Sequence, residues 1–132
     1  MTIYLVEDDS AVRDSLMVLL RNMGHQVATY PDGESFLQAV PPGRDDDVIV
    51  DLHLPGISGS DVIRRLQALD CPPRIIALSG EPQAAIKKQL RGMRVPHLLR
   101  KPLTADDIAA CLAARRPDDG VLPGAAAPAA PG

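Results

Sequence analysis

Short apolar runs alternate along this chain with stretches whose apolar residues recur at helical spacing. Residues 2–6, with Ile3-Tyr4-Leu5-Val6, predict a buried strand. Residues 10–23 carry Val12, Leu16, Leu19, Leu20 and Met23 at helical intervals, with Ser10 as the expected N-cap and Gly24 as the stop. Residues 26–30 predict a short strand, and 32–40 a short helix ended by Pro41-Pro42-Gly43. Residues 47–50 predict the third strand, and 58–69 a helix with Val62, Ile63, Leu66 and Leu69 on one side. A fourth strand is expected over 74–78, after Pro72-Pro73. A helix follows over 82–91, with Pro82 near its first position, where a missing N–H costs little. Residues 97–99 predict a fifth strand and 104–114 the last helix. Thr104 with Asp107 three residues on resembles a capping box.

Five strand–helix units in alternation imply an α/β fold, a doubly wound parallel sheet with helices on both faces and right-handed crossovers. From Pro117 the composition turns to Pro, Ala and Gly. Such a segment buries no core, so the expected organisation is one folded unit over 1–116 and a disordered tail over 117–132. The total of 132 residues suits one domain with a real core. A net charge of −3, with both signs spread along the chain, argues against a nucleic-acid-binding stripe. Tyr4, Tyr30 and Phe36 are the only aromatics, too few for base-stacking platforms. Cys71 and Cys111 fit no metal spacing and read as free thiols in a reducing cytosol. The first residues lack a basic signal-peptide region, and no apolar run is long enough to span a bilayer. The expected location is the cytoplasm.

In a parallel sheet every strand ends on the same edge, where open α/β sheets do their chemistry. That edge is expected to gather Glu7, Asp8, Asp51, Ser79 and Lys101, each at or just past a strand end. Clustered carboxylates repel one another and need a cation. Magnesium suits oxygen ligands, with manganese as a substitute, and the peptide carbonyl of His53 offers a further oxygen. Asp51 is a candidate nucleophile, since a carboxylate can be phosphorylated as an aspartyl phosphate. Lys101, the cation and the Ser79 hydroxyl would neutralise the incoming phosphoryl charge, and Gly80 would leave it room.

These residues carry a resemblance. Val6-Glu7-Asp8-Asp9, Asp51-Leu52-His53-Leu54-Pro55 with Gly59, Ser79-Gly80 and Lys101-Pro102 together resemble the receiver domain of two-component response regulators, over roughly residues 2–115. The resemblance implies a flavodoxin-like (βα)5 fold with strand order 2-1-3-4-5. It implies phosphoryl transfer from a sensor histidine kinase to Asp51, with magnesium held by Glu7, Asp8, Asp51 and the His53 carbonyl. Ser79 and Lys101 match the family's hydroxyl and lysine. Lys101–Pro102 is expected to be a cis peptide, and Asp9 to fall outside the site. His53 and Glu81 fall at the two variable positions that tune dephosphorylation. One departure is Leu98, where the family usually has Tyr or Phe. There the ring turns inward as the hydroxyl moves toward the phosphate, and leucine lacks that relay. His97 next to it points to the other face by strand alternation.

The resulting expectation is a stand-alone regulator acting through protein–protein contacts, with a histidine kinase and a phosphotransfer protein as partners and no direct DNA binding. The missing aromatic leans toward a shuttle or phosphate sink rather than an output. Modification would be limited to the chain itself, with no enzyme turnover. A phosphorylation-independent interaction module is the alternative. An aspartyl-phosphate phosphatase fits less well, because His53 stands where such enzymes carry a second aspartate. A dinucleotide site is excluded because no glycine fingerprint follows the first strand. Lys87, Lys88, Arg91 and Arg94 with Asp106 and Asp107 form either a charged homodimer face, through the fourth helix, fifth strand and fifth helix, or ordinary solvated surface. The run Asp45-Asp46-Asp47 is expected to be a solvated loop.

Overall fold

A computed structural model describes residues 2–39, 41–93 and 97–113. The chain order is β1 (Thr2–Val6), α1 (Ser10–Asn22), β2 (Gln26–Tyr30), α2 (Gly33–Gln38), β3 (Asp47–Asp51), α3 (Gly59–Gln67), β4 (Arg74–Ser79), α4 (Gln83–Gln89), β5 (His97–Arg100) and α5 (Ala105–Ala113). Every expected element is present, with ends shifted by at most one or two residues. The expected tail over 117–132, the end of the domain at 114–116, the end of the second helix at Val40, and Arg94 of the proposed charged face lie outside the described residues.

Among the described residues the five strands form one parallel sheet in the order β2-β1-β3-β4-β5. Period-two alternation divides its side chains between two cores. Val48, Val50, Ile75 and Ala77 face α2, α3 and α4, where they meet Phe36, Val62, Ile63, Leu66 and Ile86. Ile3, Leu5, Ile49, Ile76, Leu78 and Leu99 face α1 and α5, where they meet Leu16, Leu20 and Ile108. Leu98 packs on the first side, one residue out of phase with Leu99 on the second.

Two expectations of the sequence are corrected. The N-cap of α1 is Asp9, not Ser10: its carboxylate accepts from Ala11 N–H at 3.0 Å and Val12 N–H at 3.2 Å. An anionic cap suits the positive end of the helix. Of the run Asp45-Asp46-Asp47, Asp45 is exposed in a turn, but Asp46 and Asp47 are not solvated loop. Asp46 accepts from Thr2 N–H at 2.8 Å and Gly43 N–H at 2.7 Å, tying the edge of the sheet together. Asp47 is fully buried and pairs with buried Arg74 through two bonds of 2.9 and 3.0 Å. Arg74 also donates to the Leu112 carbonyl at 3.2 Å, closing the last turn of α5. The pairing register of Asp47 with Arg74 puts the two charges side by side at the start of neighbouring strands.

Thr104 and Asp107 cap α5 reciprocally, as the sequence predicts. Asp32 caps α2 through Ser35 N–H, and Ser58 caps α3 through Asp61 N–H. The Ser35 bonds hold the Asp32 carboxyl below its ordinary value.

Candidate phosphoryl-transfer site

Three strand ends build the site. β1 delivers Glu7 and Asp8, β3 ends on Asp51, and β5 leads directly into Lys101. One carboxylate oxygen from each of Glu7, Asp8 and Asp51 lies within 4.8 Å of the others. Glu7 and Asp51 are buried, whereas Asp8 is exposed and opens the group to solvent. Lys101 Nζ donates to Asp51 Oδ2 at 2.7 Å and to Glu7 Oε1 at 2.9 Å. Asp51 Oδ1 accepts from His53 N–H at 2.8 Å.

These contacts set the charges. Burial pushes the Glu7 carboxyl up to about 8, and Asp51 beside it pushes the same way, against a smaller opposing pull from Lys101. Burial also raises Asp51, but the hydrogen bonds it shares with Glu7, Lys101 and His53 N–H outweigh that and hold it below its ordinary value. For Lys101 burial works downward, and its two carboxylate partners more than reverse it. Asp51 is thus the ionised member of the buried pair and Glu7 the protonated one in metal-free protein. Because the folded Glu7 binds its proton more tightly than the unfolded chain does, its contribution to stability is present below about pH 4.5 and lost as pH rises through about 8. In chelator-treated protein, urea denaturation is expected to show stability falling across that window, and Glu7→Gln to flatten the slope.

Glu7 Oε2 is buried and has no hydrogen-bond partner among the described residues. A buried polar oxygen without a partner costs free energy, and here it lies beside two further carboxylates. With Glu7 giving up its proton on metal binding, the donor set is all oxygen and anionic, so the residues present fit a magnesium ion.

The remaining expected residues surround this centre. Ser79 is fully buried at the end of β4, and its hydroxyl accepts from Glu81 N–H at 3.0 Å, which aims the oxygen at its own turn. Lys101 N–H donates to the Ser79 carbonyl at 2.9 Å, and the Lys101–Pro102 peptide is cis. The His53 side chain is exposed; its backbone N–H is the part engaged. Gly80 is exposed, and a Cβ there would meet the Lys101 side chain at 3.6 Å, an ordinary contact.

The roles of several supports show only in tertiary contacts. Gly59, in the first turn of α3, abuts the backbone of Asp51 and Leu52, and an added Cβ would overlap the Asp51 carbonyl and come within 2.6 Å of Leu52 Cα. Gly59→Ala is expected to lower stability by about 1–3 kcal/mol, toward the upper end because backbone must shift; chemical denaturation measures it. Glu34 of α2 accepts from Ile57 N–H at 3.1 Å, pinning the loop after Asp51, where Gly56 adopts φ +69°. Arg13 of α1 donates to the Glu7 carbonyl at 2.9 Å and holds the β1–α1 turn. A lone Arg or Glu on a helix carries no sequence mark of such a role.

Comparison with known proteins decides the family. The profile of the response regulator receiver domain matches residues 3–113. The chain belongs to the response regulator receiver family. The transcriptional regulatory protein FixJ of Bradyrhizobium diazoefficiens is 30% identical over 110 residues, covering 83% of this chain and 54% of that protein. The chain spans about half the length of the FixJ relatives it matches. Among solved structures, a CheY-like receiver domain from Methylobacillus flagellatus superposes with a TM-score of 0.70 at 26% identity, covering 85% of this chain and 95% of that one. The response regulator TrrA of Thermotoga maritima, solved in complex with Mg2+–BeF, gives 0.72 at 25% identity, covering 85% and 96%. The receiver fold and strand order expected from the motifs are therefore those observed.

Proposed function

We propose that this receiver domain accepts a phosphoryl group on Asp51 from a sensor histidine kinase or a histidine phosphotransfer protein, and signals or relays it through protein contacts. The observation that carries the reading is the buried Asp51 carboxylate at a strand end, bonded to Lys101 and grouped with the carboxylates of Glu7 and Asp8. An Asp51 oxygen forms the new P–O bond as the donor's P–N bond breaks, and the imidazole leaves with the electron pair. Lys101, already 2.7 Å from Asp51, meets the charge of the incoming oxygens. Glu7, Asp8, Asp51 and the His53 carbonyl would hold magnesium, or manganese in its place, which when bound supplies further charge neutralisation. Ser79 and Lys101 flank the phosphoryl group, and His53 and Glu81 tune its hydrolysis. Modification is of the chain itself, without turnover of a substrate pool.

We place this activity in the cytoplasm; no helix among the described residues is long and apolar enough to cross a membrane. Borohydride trapping tests the acceptor. After incubation with acetyl phosphate and Mg2+, reduction of the acyl phosphate is expected to leave homoserine at position 51 in the peptide map. Homoserine at another carboxylate would contradict the assignment.

A further inference from the structure

The turn after Ser79 is gripped from two sides at one residue. Glu81 N–H donates to the Ser79 hydroxyl at 3.0 Å, and the Glu81 carbonyl accepts from Arg100 Nη2 at 3.2 Å. Arg100 ends β5, is register-paired with Ser79, and immediately precedes Lys101. Its side chain shares the α4-facing side of β5 with Leu98, which packs against the cluster containing Ala77 and Ile86. Leu98 offers no polar atom and is held by apolar contact, whereas Arg100 reaches the turn with a charged donor.

We propose that Arg100 is the positioning residue that couples the turn over 79–82 to β5, so that movement at the phosphoryl site is read out on the α4–β5 surface through the Glu81 peptide. The inference rests on phosphoryl acceptance at Asp51 and deepens it. A Ser79 hydroxyl that turns to donate toward a phosphoryl group on Asp51 releases Glu81 N–H. The Glu81 peptide is then free on one side and tethered to Arg100 on the other. Its displacement pulls on a guanidinium anchored at the end of β5. A charged donor to a carbonyl suits this better than an apolar contact, because it is directional and follows the acceptor. Arg100 is exposed, so the tether lies where a partner protein reads it.

The test compares the full chain with Arg100→Ala and Arg100→Lys, each treated with acetyl phosphate and Mg2+, by intact mass and by amide NMR. Wild type is expected to take one phosphoryl group and to shift the amides of Glu81, Leu98 and Leu99. Arg100→Ala is expected to take the same adduct and still shift Glu81, while the response at Leu98 and Leu99 falls roughly two- to tenfold, the range one hydrogen bond carries in an equilibrium. Arg100→Lys, which keeps a donor, restores part of it. An unchanged response at Leu98 and Leu99 in Arg100→Ala overturns the coupling. Loss of the adduct in Arg100→Ala also overturns it, because Arg100 then acts at acceptance. Absence of an adduct on wild type, with acetyl phosphate and with a histidine kinase donor alike, defeats the underlying reading instead.

Discussion

Asp47→Ala is expected to destabilise the domain by about 3–5 kcal/mol, the cost of stranding one partner of a buried ion pair. Arg74 would keep its charge without its carboxylate, in a place where both side chains are almost wholly shielded from water. The loss extends beyond the pair. Asp47 orients the guanidinium that also bonds the Leu112 carbonyl, so the last turn of α5 loosens with it. Replacing both partners by apolar residues, as in Asp47→Leu with Arg74→Met, removes the stranded charge and should recover much of the stability. Urea denaturation of the two single variants and the double variant separates these contributions. A double variant as unstable as Asp47→Ala would mean that packing, not charge, sets the cost. Because the pair lies at the sheet edge opposite Asp51, residual folded Asp47→Ala protein should still accept phosphate.

Lys101→Ala is expected to slow phosphoryl acceptance by about 10²–10³-fold, the usual penalty for removing one preorganised charge-stabilising donor. Lys101 is the one cation bonded to both buried carboxylates among the described residues. Without it, Asp51 and Glu7 face each other directly, and the balance that keeps Asp51 ionised beside protonated Glu7 weakens. Raising the donor concentration should not rescue the rate, since the lost interaction is with the charge that develops during transfer. Single-turnover labelling with acetyl phosphate at saturating Mg2+ measures the effect. A rate within a fewfold of wild type would remove Lys101 from the transfer reaction.

Much of this domain is legible in the chain, for definite reasons. The central strands β3 and β4 are buried on both faces, so they appear as unbroken apolar runs such as Val48-Ile49-Val50 that need no partner to be recognised. Parallel topology then carries Glu7, Asp8, Asp51 and Lys101 to one edge without any knowledge of their contacts. What stayed hidden depends on register and on close approach. Asp47 looked solvated because it follows two other aspartates; only the register that sets it against Arg74 reveals the pair. A rule placing an acidic strand start beside a basic one in the neighbouring strand could have found it. Gly59 was visible as a motif member, but its reason, the abutment on the Asp51 backbone, is tertiary. The cap of α1 was missed by one residue because Asp9 and Ser10 are both good caps, and local sequence does not choose between them. Arg100 gave no signal at all. Its bond to Glu81 joins the end of one strand to the turn after another.

Metal-dependent acceptance of a phosphoryl group by Asp51 is read directly by the intact mass of the treated protein. Wild type and Asp51→Asn are each incubated with acetyl phosphate, with Mg2+ or with chelator, and a histidine kinase donor is run in parallel. The predicted result is one added phosphoryl mass on wild type with Mg2+, none with chelator, and none on a folded Asp51→Asn under any condition. An adduct of equal yield on Asp51→Asn, or none on wild type from either donor, would contradict it.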